Sequence, residues 1–179
     1  MSRVAKVDLS TAPDEIRACH DELIKSHALT NMKAVALNSP VALKAILEWY
    51  SLFAQVVPYL TKRGAILLSF AISRANACEL CSTFMRKEII GWGEDPEQLT
   101  LTPREQVIWD FGHQLAKDAN RVSDALYARL AAEFSPTQIV ELTTFGALMI
   151  VNNVFNSALR IDVDEVLDPY RIDPEQYFA

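Results

Sequence analysis

An all-α protein is what this sequence predicts. Only five glycines occur in 179 residues, strand-like alternation is scarce, and Ser, Thr or Asp followed by Pro or an acidic residue recurs just ahead of apolar segments with helical spacing. About seven or more helices are expected from these start signals.

The first helix is predicted to open near Thr11 and Pro13, with Ile16, Cys19, Leu23 and Ile24 sharing one face. A short helical piece follows around residues 31–37. Ser39 and Pro40 supply a cap and a first-turn proline for a long helix bearing Leu43, Ile46, Leu47, Tyr50 and Phe53, which should stop near Pro58. Another begins at Thr61 and runs through GAILLSFAISRA, apolar nearly all round, as a helix enclosed by others would be. It leads directly into CELCSTFMRKEII, which should end at Gly91 or Gly93, and then into DPEQL, read as a cap and a short turn of helix. Thr102 with Glu105 and Ser135 with Gln138 form capping boxes for two later helices, and Ser123 caps one between them with Leu126, Tyr127 and Leu130. The acidic tail, residues 161–179, keeps Val166, Leu167, Tyr170 and Phe178 for packing on the surface or on a neighbouring subunit.

With half of its residues hydrophobic, the chain suffices for one sizeable core, so residues 1–179 are read as a single domain. A formal charge of -6 opposes nucleic-acid and anionic membrane surfaces. The N-terminal stretch has no apolar run behind its basic residues, and apolar stretches such as GAILLSFAI fall short of a membrane span. A soluble, cytoplasmic protein is expected.

Chemistry concentrates in Cys78 and Cys81. Residues three apart share a helix face, close enough for a reversible disulfide, and a helix start lowers a thiol pKa through its unpaired amides and dipole. Buried, inert cysteines are the alternative. A structural zinc site needs four ligands, and beyond the pair only Cys19 and the scattered His20, His27 and His113 remain, so no metal is expected. Covalent haem attachment wants a His where Ser82 stands. No cofactor is anticipated. Cys19, on the inward face of the first helix, should stay reduced.

The stretch SFAISRANACELCSTFMRKEIIGWGEDPEQL resembles the signature region of the carboxymuconolactone decarboxylase superfamily, in particular its AhpD-like, CxxC-bearing alkylhydroperoxidase branch. LTPREQVIWDFGHQLAKDANRVSDALYARL and NNVFNSALRI look like the same family's downstream helices, so the likeness spans Ser39 to Asp162, with its core motif in residues 61–100. It implies an AhpD-like helical bundle, a homo-oligomer, a small peroxide or disulfide substrate and a separate thiol reductant. Peroxidase-type members carry Glu, eleven residues, then CxxCxxxH, the Glu and His relaying protons for the thiols. Here the Glu position is Ile66 and the His position Met85, neither able to move a proton. Glu79, Arg74, Arg86, Lys87 and His113 are the other ionisable groups considered, Glu79 and His113 as possible auxiliaries. Phe84, Met85, Trp92 and Ile66 suggest apolar surroundings for the thiols, either a small cavity or simple core packing. The reading that follows is a thiol oxidoreductase. A catalytically silent helical protein with a binding role is the alternative, and lactone decarboxylation, which needs an acid or base, ranks behind both.

Overall fold

The computed structural model describes residues 2–26 and 28–172. Among these there are seven α-helices and no strand: α1 (Asp14–Ser26), α2 (Asn31–Ala36), α3 (Pro40–Ala75), α4 (Glu79–Gly91), α5 (Pro103–Asp118), α6 (Asp124–Glu133) and α7 (Pro136–Ala158), with 3-10 turns at Ala119–Arg121 and Glu165–Tyr170.

The helix starts follow the local chemistry. The side chains of Thr30, Ser39, Thr102, Ser123 and Ser135 each accept a hydrogen bond from the backbone N–H three residues on, and the boxes Thr102/Glu105 and Ser135/Gln138 are both closed. The break expected between Pro58 and Thr61 lies inside α3. Pro58 has no N–H to donate, and Thr61 takes φ 69° and ψ 159°, a conformation normally left to glycine. The Thr61 hydroxyl then accepts from Gly64 N at 3.1 Å and restarts the helix.

The second half of α3 is the axis of the molecule. Every residue from Gly64 to Ser73 is buried, because α4, α5 and α7 all pack around it. The apolar-all-round composition therefore reflects enclosure on every side. Arg63 anchors its start through Glu94 at 2.9 and 2.8 Å and through the capping-box residue Glu105. A smaller cluster, Leu23, Ala36, Leu37, Leu43 and Ile46, sits beneath α1 and α2.

At Gly112 the α5 backbone comes against α3. A Cβ there would lie 2.7 Å from Leu68 Cδ1 and 3.0 Å from the Leu68 carbonyl oxygen, a backbone atom with little room to yield. Gly112→Ala is therefore expected to destabilise the protein by about 1–3 kcal/mol despite alanine's better helix propensity. Urea unfolding would measure this, and unchanged stability would mean the helices separate easily.

Several expectations are corrected. Ile24 leaves the predicted inward face of α1 and is 50% exposed, whereas Leu23 is buried. DPEQL forms a turn in which the Asp95 carboxylate accepts from Glu97 N at 2.9 Å and Gln98 Nε2 at 3.0 Å, so no helix is needed there. Helix α7 is long and apolar enough to cross a bilayer by length and composition, contrary to the expectation that no segment would be. Its inner face instead packs on α3 and carries buried Asn152, Asn153 and Asn156. Of the two places expected for the tail, the part up to residue 172 takes the surface of its own chain: Leu167 is buried, Arg86 Nε donates to Tyr170 O at 2.9 Å, and Arg171 pairs with Glu79 at 2.6 Å. Phe178 lies outside the described residues.

A candidate dithiol active site

The junction between α3 and α4 sets the site. Ala77 N donates to Arg74 O and Cys78 N to Ser73 O, both at 3.0 Å, the double bond pattern of a Schellman helix end. Its left-handed position usually takes glycine, but here it is Ala77 at φ 49°, a strained residue directly before the first thiol. The reversal leaves Cys78 as the residue capping α4, just ahead of the first turn where the sequence had placed it, with Cys81 one turn on. Both thiols are buried, at 1% and 4% exposure.

The two sulfurs ionise as a pair. The hydrogen bond from the Cys81 thiol, helped by the Cys81 N–H and the Ser157 hydroxyl, holds Cys78 below the ordinary thiol range against burial and the Glu79 charge. That same hydrogen bond, with burial and the Cys78 charge, pushes Cys81 well above it, opposed by Asn156 and Asn153. The first proton thus leaves more readily than from an ordinary thiol and the second less readily, and their behaviour belongs to the pair.

Helix α7 supplies polar groups that the sequence reading missed. Asn156 Nδ2 donates to Cys81 Sγ at 3.2 Å. Asn153 Nδ2 donates to Ser73 Oγ at 3.3 Å, Asn76 Nδ2 donates to Asn153 Oδ1 at 3.1 Å, and Ser73 Oγ donates to Ser69 O at 2.7 Å. The available signal was NNVFN: three asparagines at helical spacing on the inner face of an otherwise apolar helix, where polar groups persist only with partners.

Cys81, unlike Cys78, borders a cavity of about 260 Å³. Trp49, Tyr50 and Phe84 contribute rings to its wall, and Met32, Met85 and Met149 contribute thioethers. Thus the apolar surroundings expected for the thiols are present as a cavity, with different membership. Of the two relay positions, Met85 lies in the wall with Cys81, whereas Ile66 is buried in the main core and outside the wall. Trp92 also packs against the core instead of the cavity.

The remaining ionisable residues have other places. Glu79 stands beside Cys78 but is paired with Arg171, and its charge opposes thiolate formation there. His113 is exposed on α5 and lines a separate groove with Trp109, Asp110 and Arg129, so it is not brought to the thiols. Arg74 and Arg86 both pair with Glu97. Lys87 borders the cavity. Cys19 packs half-buried against the smaller cluster under α1. Among the described residues no three His, Cys, Asp or Glu side chains converge on one point.

No protein-family model and no curated protein matches the sequence. Solved structures do match the fold. An alkylhydroperoxidase AhpD core protein, peroxidase-related, from Ralstonia eutropha JMP134 superposes with a TM-score of 0.69 at 16% identity, over 93% of this chain and 94% of that one. A protein of unknown function from Agrobacterium tumefaciens, grouped with the antioxidant defence protein AhpD, gives 0.63 at 22% identity over 72% and 94%. The debrominase Bmp8, as a cysteine-to-alanine variant in complex with 2,3,4-tribromopyrrole, gives 0.70 at 12% identity over 98% and 95%. The chain is therefore an all-α protein with the AhpD-like fold.

Proposed function

We propose that the chain is a soluble thiol oxidoreductase that reduces a small peroxide or disulfide through Cys78 and Cys81. The observation that carries this is a pair of buried thiols one helical turn apart at the start of α4, one of them in the wall of a cavity and receiving the Asn156 side-chain N–H. Cys78 is the more acidic sulfur, but Cys81 meets the cavity. Passing the shared proton from Cys81 to Cys78 puts the thiolate on Cys81, where Asn156 Nδ2 donates to it.

With a hydroperoxide, the Cys81 thiolate attacks the terminal oxygen and the O–O bond breaks. The sulfur becomes a sulfenic acid, and the departing alkoxide takes a proton to give the alcohol. The Cys78 sulfur then displaces the hydroxyl, forming the Cys78–Cys81 disulfide and water. Two thiols have lost two electrons and one peroxide has gained them; an external thiol reductant closes the cycle. The asparagine donors stand in for the missing Glu and His only electrostatically, because they cannot shuttle a proton, so turnover should be slow. Exposed Val140, Val151 and Val154 along α7 support assembly with further copies of the chain.

Treatment with mild peroxide, followed by thiol counting and peptide mapping, is expected to find Cys78 bridged to Cys81 and Cys19 reduced. The rate should rise with pH and level off earlier than for an ordinary thiol, because the pair's first ionisation is held below the usual thiol range. Below the pair's first pKa the thiolate is protonated and lost, and above it nothing more is gained because the second proton is held far higher. A bridge involving Cys19, or no bridge at all, would leave the silent binding role as the better reading.

A second reading is favoured by the ringed, thioether-lined wall beside Cys81, which suits a halogenated aromatic. There the dithiol would give two electrons to an aryl bromide, releasing bromide and a proton and placing hydrogen on the ring. Bromide release from 2,3,4-tribromopyrrole by the reduced protein separates the two.

A further inference from the structure

Polar atoms without partners are concentrated around the cavity. Of the five buried side-chain nitrogen and oxygen atoms that find no hydrogen-bond partner among the described residues, three belong to cavity-wall residues: Trp49 Nε1, Asn152 Oδ1 and Asn156 Oδ1. Trp49, Asn152 and Asn156 are 6%, 8% and 3% exposed, so bulk water does not compensate them, and each unmet bond costs free energy that folding alone does not recover.

The rest of the wall restricts what recovers it. All three methionines among the described residues line this cavity, with three aromatic rings, giving polarisable and adaptable surfaces that suit a flat ring. Lys87 and Asp164 stand in the wall with opposite charges, favouring neither an anion nor a cation. At about 260 Å³ the space lies below the roughly 300–1,000 Å³ of drug-sized sites, which limits the occupant to one or two rings.

We infer that the cavity beside Cys81 binds a small neutral aromatic molecule bearing a hydroxyl or ring N–H, which donates to the Asn152 carbonyl of α7. The inference rests on the proposed function in that it names the aromatic part of the molecule whose reducible group the same thiols reduce. A hydroxyl both donates and accepts, so it suits either kind of unmet atom, an asparagine carbonyl or the Trp49 N–H.

The test uses 2-naphthol and 2-methoxynaphthalene, equal in ring system, with calorimetric titration of the reduced full-length protein. The naphthol is expected to bind about tenfold more tightly, one hydrogen bond's worth. Asn152→Leu, similar in size and without polar atoms, should abolish that difference while leaving binding of the methyl ether intact. Equal affinity for the two probes, or no binding of either, overturns the inference, and the wild-type comparison decides this even if the variant fails to fold. If a Cys78–Cys81 bridge forms under peroxide but the probes bind alike, only the substrate class fails. Discrimination between the probes without a bridge sinks the redox reading alone.

Discussion

Cys81→Ser is expected to lower peroxide reduction by roughly 10³-fold or more, because a serine hydroxyl at this site has no base to activate it and no accessible oxidation state. Cys78→Ser should behave differently. Without its partner, Cys81 can still reach the sulfenic acid but cannot resolve it, so a single oxidation followed by stalling is expected, with the sulfenic acid captured by a dimedone-type reagent. Cys81 has this part because it borders the cavity and receives the Asn156 N–H at 3.2 Å, while Cys78 lies behind it. Sulfenic acid found on Cys78 in the Cys81→Ser variant, at the rate seen for Cys81, would reverse the two roles. Cys19→Ser, in the separate cluster under α1, should change neither readout.

The second large effect separates the two relay positions. Ile66 is 2% exposed in the main core, so Ile66→Glu loses a buried side chain and leaves a carboxylate with no partner, at a cost of about 4 kcal/mol or more. That approaches the roughly 5–15 kcal/mol stability of a typical domain, and the variant is expected to unfold at much lower urea. Met85→His should fold, because position 85 borders the cavity and an imidazole there has open space on one side. With a proton carrier beside Cys81, peroxide reduction near pH 7 should rise at least about tenfold, within the range general acid–base groups supply. A stable Ile66→Glu protein would mean the core admits water at α3; a stable Met85→His protein with no gain would mean proton transfer does not limit the reaction.

These two positions also mark how far the sequence reading reached. It aligned Ile66 and Met85 with the two relay positions by spacing to the cysteines alone. Their different surroundings depend on which helices close around α3 and α4, and spacing carries no information on that. His113 makes the same point: a lone histidine on a helix with Phe111 and Leu115 reads as a packed residue, but here Phe111 is buried while His113 is exposed in the groove shared with α6.

What the sequence determined by itself is local. The caps at Ser39, Thr102, Ser123 and Ser135, the break between Pro58 and Thr61, and the apolar-all-round run of residues 64–73 are set by hydrogen bonds, ring constraints and composition within a few residues of one another. So is the position of the thiol pair at the start of α4. Only the tertiary structure decided the chemistry around that pair. Asn156 reaches Cys81 from 75 residues away, Arg171 reaches Glu79 from 92, and the cavity wall is shared by α2, α3, α4, α7 and the tail. Helix starts are held by bonds between near neighbours and leave a readable pattern, whereas a site assembled by packing brings together residues whose separations in the chain have no period.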